Sequence, residues 1–161
     1  MSLIILHTTI NAPLEVCFDL SRSIELHQIS TKKSDEKVIA GKMSGLISLH
    51  ETVTWKARHF GLWLQLTSKV TEYNAPNFFV DEMVSGPFKS FRHEHIFEIK
   101  EGHTIMTDRF EFQSPLGFLG KFVNGLFLKS YMEKLLTERN LVIKESAEGD
   151  AWRELLSRVE V

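Results

Sequence analysis

The sequence has very little cysteine, no long apolar run and no large excess of charge of either sign. A single cysteine, Cys17, among 161 residues excludes an internal disulfide, and no metal-ligand or redox spacing accompanies it. No apolar stretch approaches the length of a membrane span and no charged-then-apolar leader follows Met1, so we expect a cytoplasmic protein without an integral membrane span. A formal net charge of −2 gives no electrostatic reason to expect nucleic acid as a partner.

The composition is typical of one folded domain. Hydrophobic residues make up 43% of the chain and charged residues 25%, which excludes a disordered protein. A chain of 161 residues can bury a substantial core without dividing into two domains. The sequence shows no internal repeat, so we expect a single domain.

The order of the predicted elements indicates an α+β fold. The initial strand LIILHTTI is followed by two short helices, at about residues 13–21 and 24–29. Strands then run from Val38 to Gln113, and residues 46–113 are expected to form one antiparallel sheet. The charged segment STKKSDEK, which precedes these strands, is expected to be a solvated loop.

Alternation along the strands assigns most inward faces, but not all of them. In TVTWKARH, Trp55 shares one face with Val53. Residues 78–84 are apolar on both faces, so the pattern leaves open whether Asp81 or Glu82 faces inward. A functional carboxylate in this strand therefore cannot be assigned from alternation.

The segment SFRHEHIFEIKEGHTIMTDRFEFQS, residues 90–114, predicts a hairpin with an unusual inward face. Because side chains alternate across a strand, His93 and His95 point to the same side as Phe97. Two imidazoles on an otherwise apolar face are not typical of an ordinary core strand. This face is the first candidate for function.

The register of this hairpin follows from charge and face pattern. A turn at residues 101–102 sets His95 opposite Asp108, and it also gives the inward pairs His93 with Phe110, Phe97 with Met106 and Phe91 with Phe112. On the outer face the same register sets Glu94 beside Arg109 and Arg92 beside Glu111. A shift by one residue would mix apolar with charged side chains, so the register predicts one inward histidine next to one inward aspartate.

The segment that follows predicts a long helix over about residues 115–144, with Ser114 as its cap. Gly117, Gly120 and Gly125 fall in its first half, where each costs about 0.8–1.0 kcal/mol of helix propensity relative to alanine. Two explanations stay open for these glycines: tight packing of the helix on the sheet, or a flexible gate over a cavity. The C-terminal segment GDAWRELLSRVEV is amphipathic and is expected to pack, most simply on the sheet of its own chain.

Several of these segments resemble one protein superfamily. TTINAPLEVCFDLS, VTWKARHFG, FVDEMVSGPFKSFRHEHIFE and TIMTDRFEFQSPLGFLG are similar to segments of the START-like SRPBCC superfamily, which includes polyketide cyclase-like and coenzyme Q-binding-like proteins. The likeness covers residues 3 to about 145. It implies the helix-grip fold, in which a curved antiparallel sheet of about seven strands surrounds a long C-terminal helix, with two short helices after the first strand.

The resemblance also implies a function. In the helix-grip fold the sheet and the long helix enclose an apolar cavity, so we expect residues 1–146 to form one START-like ligand-binding domain and residues 147–161 to form a short extension. The expected ligand is a small hydrophobic molecule such as a lipid, quinone or polyketide, bound without catalysis, cofactor or metal. The residues expected to contact it are Trp55, His93, His95, Phe97, Met106, Asp108 and Phe110.

The same residues leave other functions open. A cyclase- or hydrolase-type enzyme would use His95 as a general base oriented by Asp108, although no nucleophile spacing supports it. A metal site has two ligands in the His-x-His pattern and no convincing third. The C-terminal segment could instead pack on a partner or on a second copy, which leaves a homodimer open.

Overall fold

The computed structural model describes residues 1–114 and 125–157, and in these residues it shows seven strands and four α-helices. The strands are β1 (Ser2–Ile10), β2 (Lys37–Gly41), β3 (Thr52–His59), β4 (Leu62–Asn74), β5 (Phe78–Ser85), β6 (Ser90–Lys100) and β7 (His103–Gln113). The helices are α1 (Leu14–Ser21), α2 (Ile24–Ser30), α3 (Gly125–Glu148) and α4 (Ala151–Ser157), with a short 3-10 turn at Lys32–Ser34.

The strands form one curved antiparallel sheet in the order β1-β7-β6-β5-β4-β3-β2. From β2 to β7 each strand pairs with the next in the chain, whereas β1 pairs with β7. Helices α1 and α2 carry the chain from β1 at one edge of the sheet to β2 at the other. The α+β fold, the single antiparallel sheet and the two short helices after β1 are confirmed.

The β6–β7 hairpin has the register that its sequence predicts. His95 pairs with Asp108 and Phe97 with Met106, and the turn falls at Glu101 and Gly102. Both turn residues have positive φ, 52° and 79°, which suits a two-residue connection with the twist of the sheet.

On the outer face of this hairpin the charge pairs are partly those expected. Arg109 contacts Glu94, with Nη1 and Oε2 3.5 Å apart. Arg92 lies opposite Glu111 in the register, but its guanidinium pairs with Glu72 on β4, at 2.8 Å. The side chain of Arg92 therefore links β6 toward β4 rather than β7.

Helix α3 packs on the inner face of the sheet, where its residues Leu128, Leu136 and Ile143 are buried. The predicted start of this helix, with Pro115, Gly117 and Gly120, lies outside the described residues. Its end is at Glu148, a few residues later than predicted and beyond the expected domain boundary at residue 146. That boundary stays a prediction. No helix in the described ranges is long and apolar enough to cross a membrane.

The core is divided into two apolar clusters on the inner face. The larger lies under α1, where Phe18 makes edge-to-face contacts with Tyr73, Phe79 and Phe97, and Cys17 is fully buried there. The smaller includes Phe91, Phe110, Phe112, Leu128 and Leu136. Because α1 covers only one part of the inner face, the other part is left for the cavity described below.

Helix α4 contacts its own chain. Trp152, Leu155 and Leu156 are partly buried against the larger core cluster, mainly at α1 and α3. The expected target was the sheet, whereas α1 and α3 provide most of the contact surface. The apolar side of the segment is therefore used within the chain.

Candidate functional site

A cavity of about 300 Å³ lies between the inner face of the sheet and helix α3. Its wall is mostly apolar and includes Leu64 and Leu66 of β4, Phe91 of β6, and Leu128, Met132 and Leu136 of α3. The volume is at the lower end of the range that small-molecule pockets occupy. The cavity is large enough for a compact apolar molecule.

The structure divides the predicted site residues between this cavity and the solid core. Trp55, His93 and Phe110 lie on the cavity wall. Phe97 and Met106 do not reach it, because α1 covers that part of the sheet and both are buried in the larger core cluster. Their burial in this cluster is a long-range packing feature that strand alternation does not reveal.

His95 and Asp108 are buried next to the cavity without forming its wall. Asp108 is fully buried, and its Oδ1 lies 2.8 Å from Nε2 of His93 and 2.9 Å from Nδ1 of His95. Only the contact with His93 has hydrogen-bond geometry. The inward direction of both predicted residues is as expected, although the hydrogen bond of Asp108 is to the diagonal neighbour His93 instead of to His95.

Three further polar residues complete this cluster. Asp81 of β5 faces inward, and its Oδ1 is 2.9 Å from Nε2 of His95. From α3, Asn140 donates its Nδ2 to Oδ2 of Asp108 at 2.7 Å, and Arg139 Nη1 lies 3.4 Å from Oδ1. We call Asp81, His93, His95, Asp108, Arg139 and Asn140 the buried polar cluster.

Two members of this cluster, Asp81 and Arg139, line the cavity and are not among the site residues that the sequence predicts. Alternation does not assign the face of Asp81, because both faces of its strand are apolar. Arg139 follows Leu135 by four residues and precedes Ile143 by four, so helical spacing places it on the buried stripe of α3. That spacing was a usable signal for a buried arginine.

Burial and the charged neighbours within the buried polar cluster together set the pKa values of its members. Burial by itself would raise the pKa of Asp108, but His93 and His95 hold the pKa of that carboxyl well below its usual value. Burial, together with the neighbouring His95, lowers the pKa of His93 to about 4. The pKa of His95 is raised despite burial, because two carboxylates, those of Asp108 and Asp81, favour its protonated form.

The positions and pKa values of the two histidines can be compared with what a general base in an enzyme requires. A general base must come within hydrogen-bond reach of the proton that it removes. His95 is 3% exposed and is not part of the cavity wall, while His93 is on the wall and has its pKa lowered to about 4. His95, the general base that the enzyme alternative requires, is therefore not in contact with the cavity.

A second polar group lies on the cavity wall, at the segment between α2 and β2. Glu36 contacts Nε2 of His27 at 3.2 Å, and His27 stacks on Trp55 with ring centroids 4.2 Å apart. Thr31 and Ser34 also line the cavity. The expectation that STKKSDEK is a solvated loop is therefore wrong for Thr31, Ser34 and Glu36, because the 3-10 turn folds them inward.

Aromatic residues mark another part of the wall. His59 at the end of β3 is 2.8 Å, by its Nδ1, from the hydroxyl of Tyr131 on α3. The ring of Phe60 lies 4.6 Å from that of Tyr131 and 5.7 Å from that of Phe127, measured between centroids. Phe60 is 53% exposed, so this edge of the cavity wall reaches the protein surface.

Comparison with solved structures finds the same fold in proteins of very different sequence. Protein TTHA0849 from Thermus thermophilus aligns with a TM-score of 0.69 and 15% identity, over 91% of this chain and 99% of that one. Major latex-like protein 151 from Panax ginseng gives 0.67 and 15%, over 92% and 98%. Protein CV1439 from Chromobacterium violaceum gives 0.69 and 9%, over 91% and 97%.

The other two comparisons find nothing: no protein-family model and no curated protein matches this sequence. The structural similarities, all at low identity, show the fold and leave the ligand open.

Proposed function

We propose that this chain, whose fold is the helix grip of the START-like SRPBCC superfamily, binds one small hydrophobic molecule in the cavity under its sheet. The observation that carries the proposal is the cavity itself, about 300 Å³ with a largely apolar wall and a few polar groups. Ligand pockets have this composition, in which apolar surface supplies affinity and placed polar groups supply orientation.

The expected affinity can be estimated from the apolar surface area of the ligand that is buried on binding. Burying about 300 Å² of apolar ligand surface, at about 25 cal/mol per Å², contributes roughly 7–8 kcal/mol before losses. Lost motional freedom and desolvation of polar groups offset part of this, so we expect binding in the micromolar range. A lipid fragment, a quinone ring or a polyketide-like ring would match this size and polarity.

The polar groups on the wall suggest how such a ligand is oriented. The cavity wall has two polar regions. One consists of Asp81, His93 and Arg139, and the other consists of Glu36 and His27. An apolar molecule that carries a hydroxyl or carbonyl group would place that group at one of them, and its hydrocarbon part against Leu64, Phe91 and their neighbours. Of the residues predicted from sequence, Trp55, His93 and Phe110 are proposed as direct ligand contacts.

The test is to fill the cavity. Ala57 is a buried wall residue on β3, and Ala57→Phe would place a ring in the space that a ligand needs. Ala40→Phe, at an exposed position on β2, adds the same ring outside the cavity and is the matched control. Extracted small molecules are identified by mass spectrometry, and binding of a fluorescent apolar probe is titrated on the parent and both variants.

We expect probe binding in the parent and in Ala40→Phe, and a loss of about tenfold or more in Ala57→Phe, which corresponds to at least about 1.4 kcal/mol. Circular dichroism verifies that Ala57→Phe is folded, since overpacking costs about 1–3 kcal/mol. Equal binding by the two folded variants would show that the probe binds elsewhere and would refute the proposal.

A further inference from the structure

Three potential metal ligands come together on two neighbouring strands. His93 and His95 are two residues apart on β6 and therefore share a face, and Asp81 on β5 is the cross-strand partner of His93. One donor atom from each of these residues lies within 4.8 Å of the others. The sequence supplied the His-x-His pair without a third ligand, and the fold supplies that ligand in Asp81.

We propose that Asp81, His93 and His95 bind one divalent transition-metal ion of the zinc class at the polar side of the cavity. The proposal does not depend on the hydrophobic ligand, because the donor atoms belong to the protein. Two imidazole nitrogens and one carboxylate oxygen form a donor set that suits zinc and its neighbours in the first transition row.

The remaining ring nitrogen of each histidine lies close to a carboxylate, which is the partner that metal-binding histidines require. Oδ1 of Asp108 lies 2.8 Å from Nε2 of His93 and 2.9 Å from Nδ1 of His95. A carboxylate at the second ring nitrogen fixes the tautomer and orientation of a metal-binding imidazole. Asp108 is held in place by Asn140 and Arg139, so one carboxylate can orient both histidines.

With these contacts made, Nδ1 of His93 and Nε2 of His95 are the nitrogens left for an ion. Nε2 of His95 is 2.9 Å from Oδ1 of Asp81. Two ligand atoms on one tetrahedral zinc ion, each about 2.0–2.2 Å from it, are about 3.4 Å apart. After a small opening of the Asp81–His95 contact, an ion could lie between these two atoms in place of the proton on Nε2 of His95.

A second observation points to an occupant. Among the described residues, Nδ1 of His95 is a buried nitrogen without a hydrogen bond, although it lies close to Asp108. Buried polar atoms are nearly always satisfied, so this one requires an explanation. A small ring rotation on binding a metal through Nε2 would align Nδ1–H with Asp108 and satisfy it.

The local charges and the access route are also suitable. The guanidinium of Arg139 offsets the carboxylate of Asp108, so Asp81 is the carboxylate left to balance the ion. Asp81 and His93 lie on the cavity wall, which gives an ion a way in and leaves a coordination position facing the cavity. Three protein ligands with one open position are the arrangement of zinc sites that bind a further molecule.

The experiment measures metal binding alone. Protein treated with a chelator and dialysed is titrated with Zn²⁺ by calorimetry and with Co²⁺ by visible absorbance, which reports tetrahedral coordination. Asp81→Asn and His93→Gln each remove one ligand. Glu82→Gln is the matched control, because Glu82 follows Asp81 on the same strand but pairs with Arg92 on the opposite face.

We expect one equivalent of each metal in the parent and in Glu82→Gln. The two ligand variants should bind at least about tenfold more weakly, since even outer-shell changes cost about 10–100-fold. Circular dichroism shows whether each variant is folded, and two ligand variants are made so that misfolding of one leaves the other decisive. An absence of binding in the parent, or equal binding in a folded ligand variant, would overturn the proposal.

The outcome is separable from the proposed function. Ala57→Phe fills the cavity away from these three ligands, so it should lose probe binding while it retains the metal site. A parent that binds the apolar probe but no metal would refute only the metal proposal. A parent that binds metal but no probe would refute only the hydrophobic-ligand proposal.

Discussion

At the scale of single residues, Asp108 holds the buried polar cluster together. It is fully buried, and it neutralises Arg139 while it accepts hydrogen bonds from His93 and Asn140. Its carboxylate therefore connects the hairpin to helix α3. Loss of its charge would leave Arg139 as a buried cation without its partner, a situation that costs far more than an exposed ion pair is worth.

We predict that Asp108→Asn lowers the free energy of unfolding by about 3–5 kcal/mol, even though the two side chains have nearly the same shape. Urea denaturation measures the change. Asp150→Asn, at a highly exposed aspartate, is the control and should cost less than about 1 kcal/mol. Similar stability of the two variants would mean that Arg139 finds another partner.

Glu36 gives a prediction about pH. Burial would raise the pKa of Glu36, but His27 and His59 favour the ionised form and the pKa is lowered overall from 4.5. A carboxyl whose pKa is lower in the folded state stabilises the fold above its unfolded pKa, and this stabilisation is lost as the pH falls through the folded value. The ionised Glu36 therefore stabilises the fold at neutral pH and not in strong acid.

We predict that Glu36→Gln is less stable than the parent above about pH 4.5 and that the difference shrinks as the pH is lowered further. Thermal melts across this range measure it. Glu98→Gln, at an exposed position, should show no comparable trend. A difference that stays constant down to strong acid would show that Glu36 acts by packing and not by charge.

Strand alternation predicts the orientation of some residues of the buried polar cluster and not of others. The inward direction of His93, His95 and Asp108 was predictable, because alternation is a local property of a strand. The face of Asp81 was not, since apolar residues on both faces remove the contrast on which alternation depends. Which inward residue meets the cavity depends on α1, which packs from a distant part of the chain.

At the scale of elements, the C-terminal helix α4 connects to the core. Trp152, Leu155 and Leu156 pack against the larger cluster near α1, so their apolar surface is already used within the chain. The helical spacing of these residues was visible in the sequence. The identity of the surface that they contact was not, because spacing defines a face without naming its partner.

We predict that a chain truncated after Gly149 is less stable than the full chain by about 1–3 kcal/mol, since part of three apolar side chains loses its burial. Its elution on size-exclusion chromatography should be that of the full chain. A change of oligomeric state with unchanged stability would contradict this, and would instead identify the segment as a contact between copies.

In the molecule as a whole, one part of the inner face of the sheet is covered by a packed core and the other part borders the cavity. Helix α1 covers the packed part, where its residue Phe18 is fully buried against three aromatic rings. Local patterns predicted the sheet and its helix, but the division of their shared interior depends on how much of it α1 and α2 cover.

We predict that Phe18→Ala costs about 3–5 kcal/mol of unfolding free energy, as expected for a buried aromatic in a well-packed core. Leu64→Ala, on the cavity wall, should cost less, because one side of Leu64 already borders empty space and fewer contacts are lost. Urea denaturation of both variants gives the comparison. Equal costs would indicate that the cavity wall is packed as tightly as the core.

The pairing of β1 with β7 has a consequence for how the chain is made. Ser2 lies opposite Phe112, so the first strand of this sheet to leave the ribosome pairs with the last strand of the sheet. Such distant pairings slow folding, because a long loop must close before the contact forms. Each of the strands β3 to β7 can pair with the preceding strand as it emerges, whereas β1 stays unpaired, with its apolar residues exposed, until β7 has been made. During synthesis, β1 is therefore the strand that most needs protection from pairing with another chain.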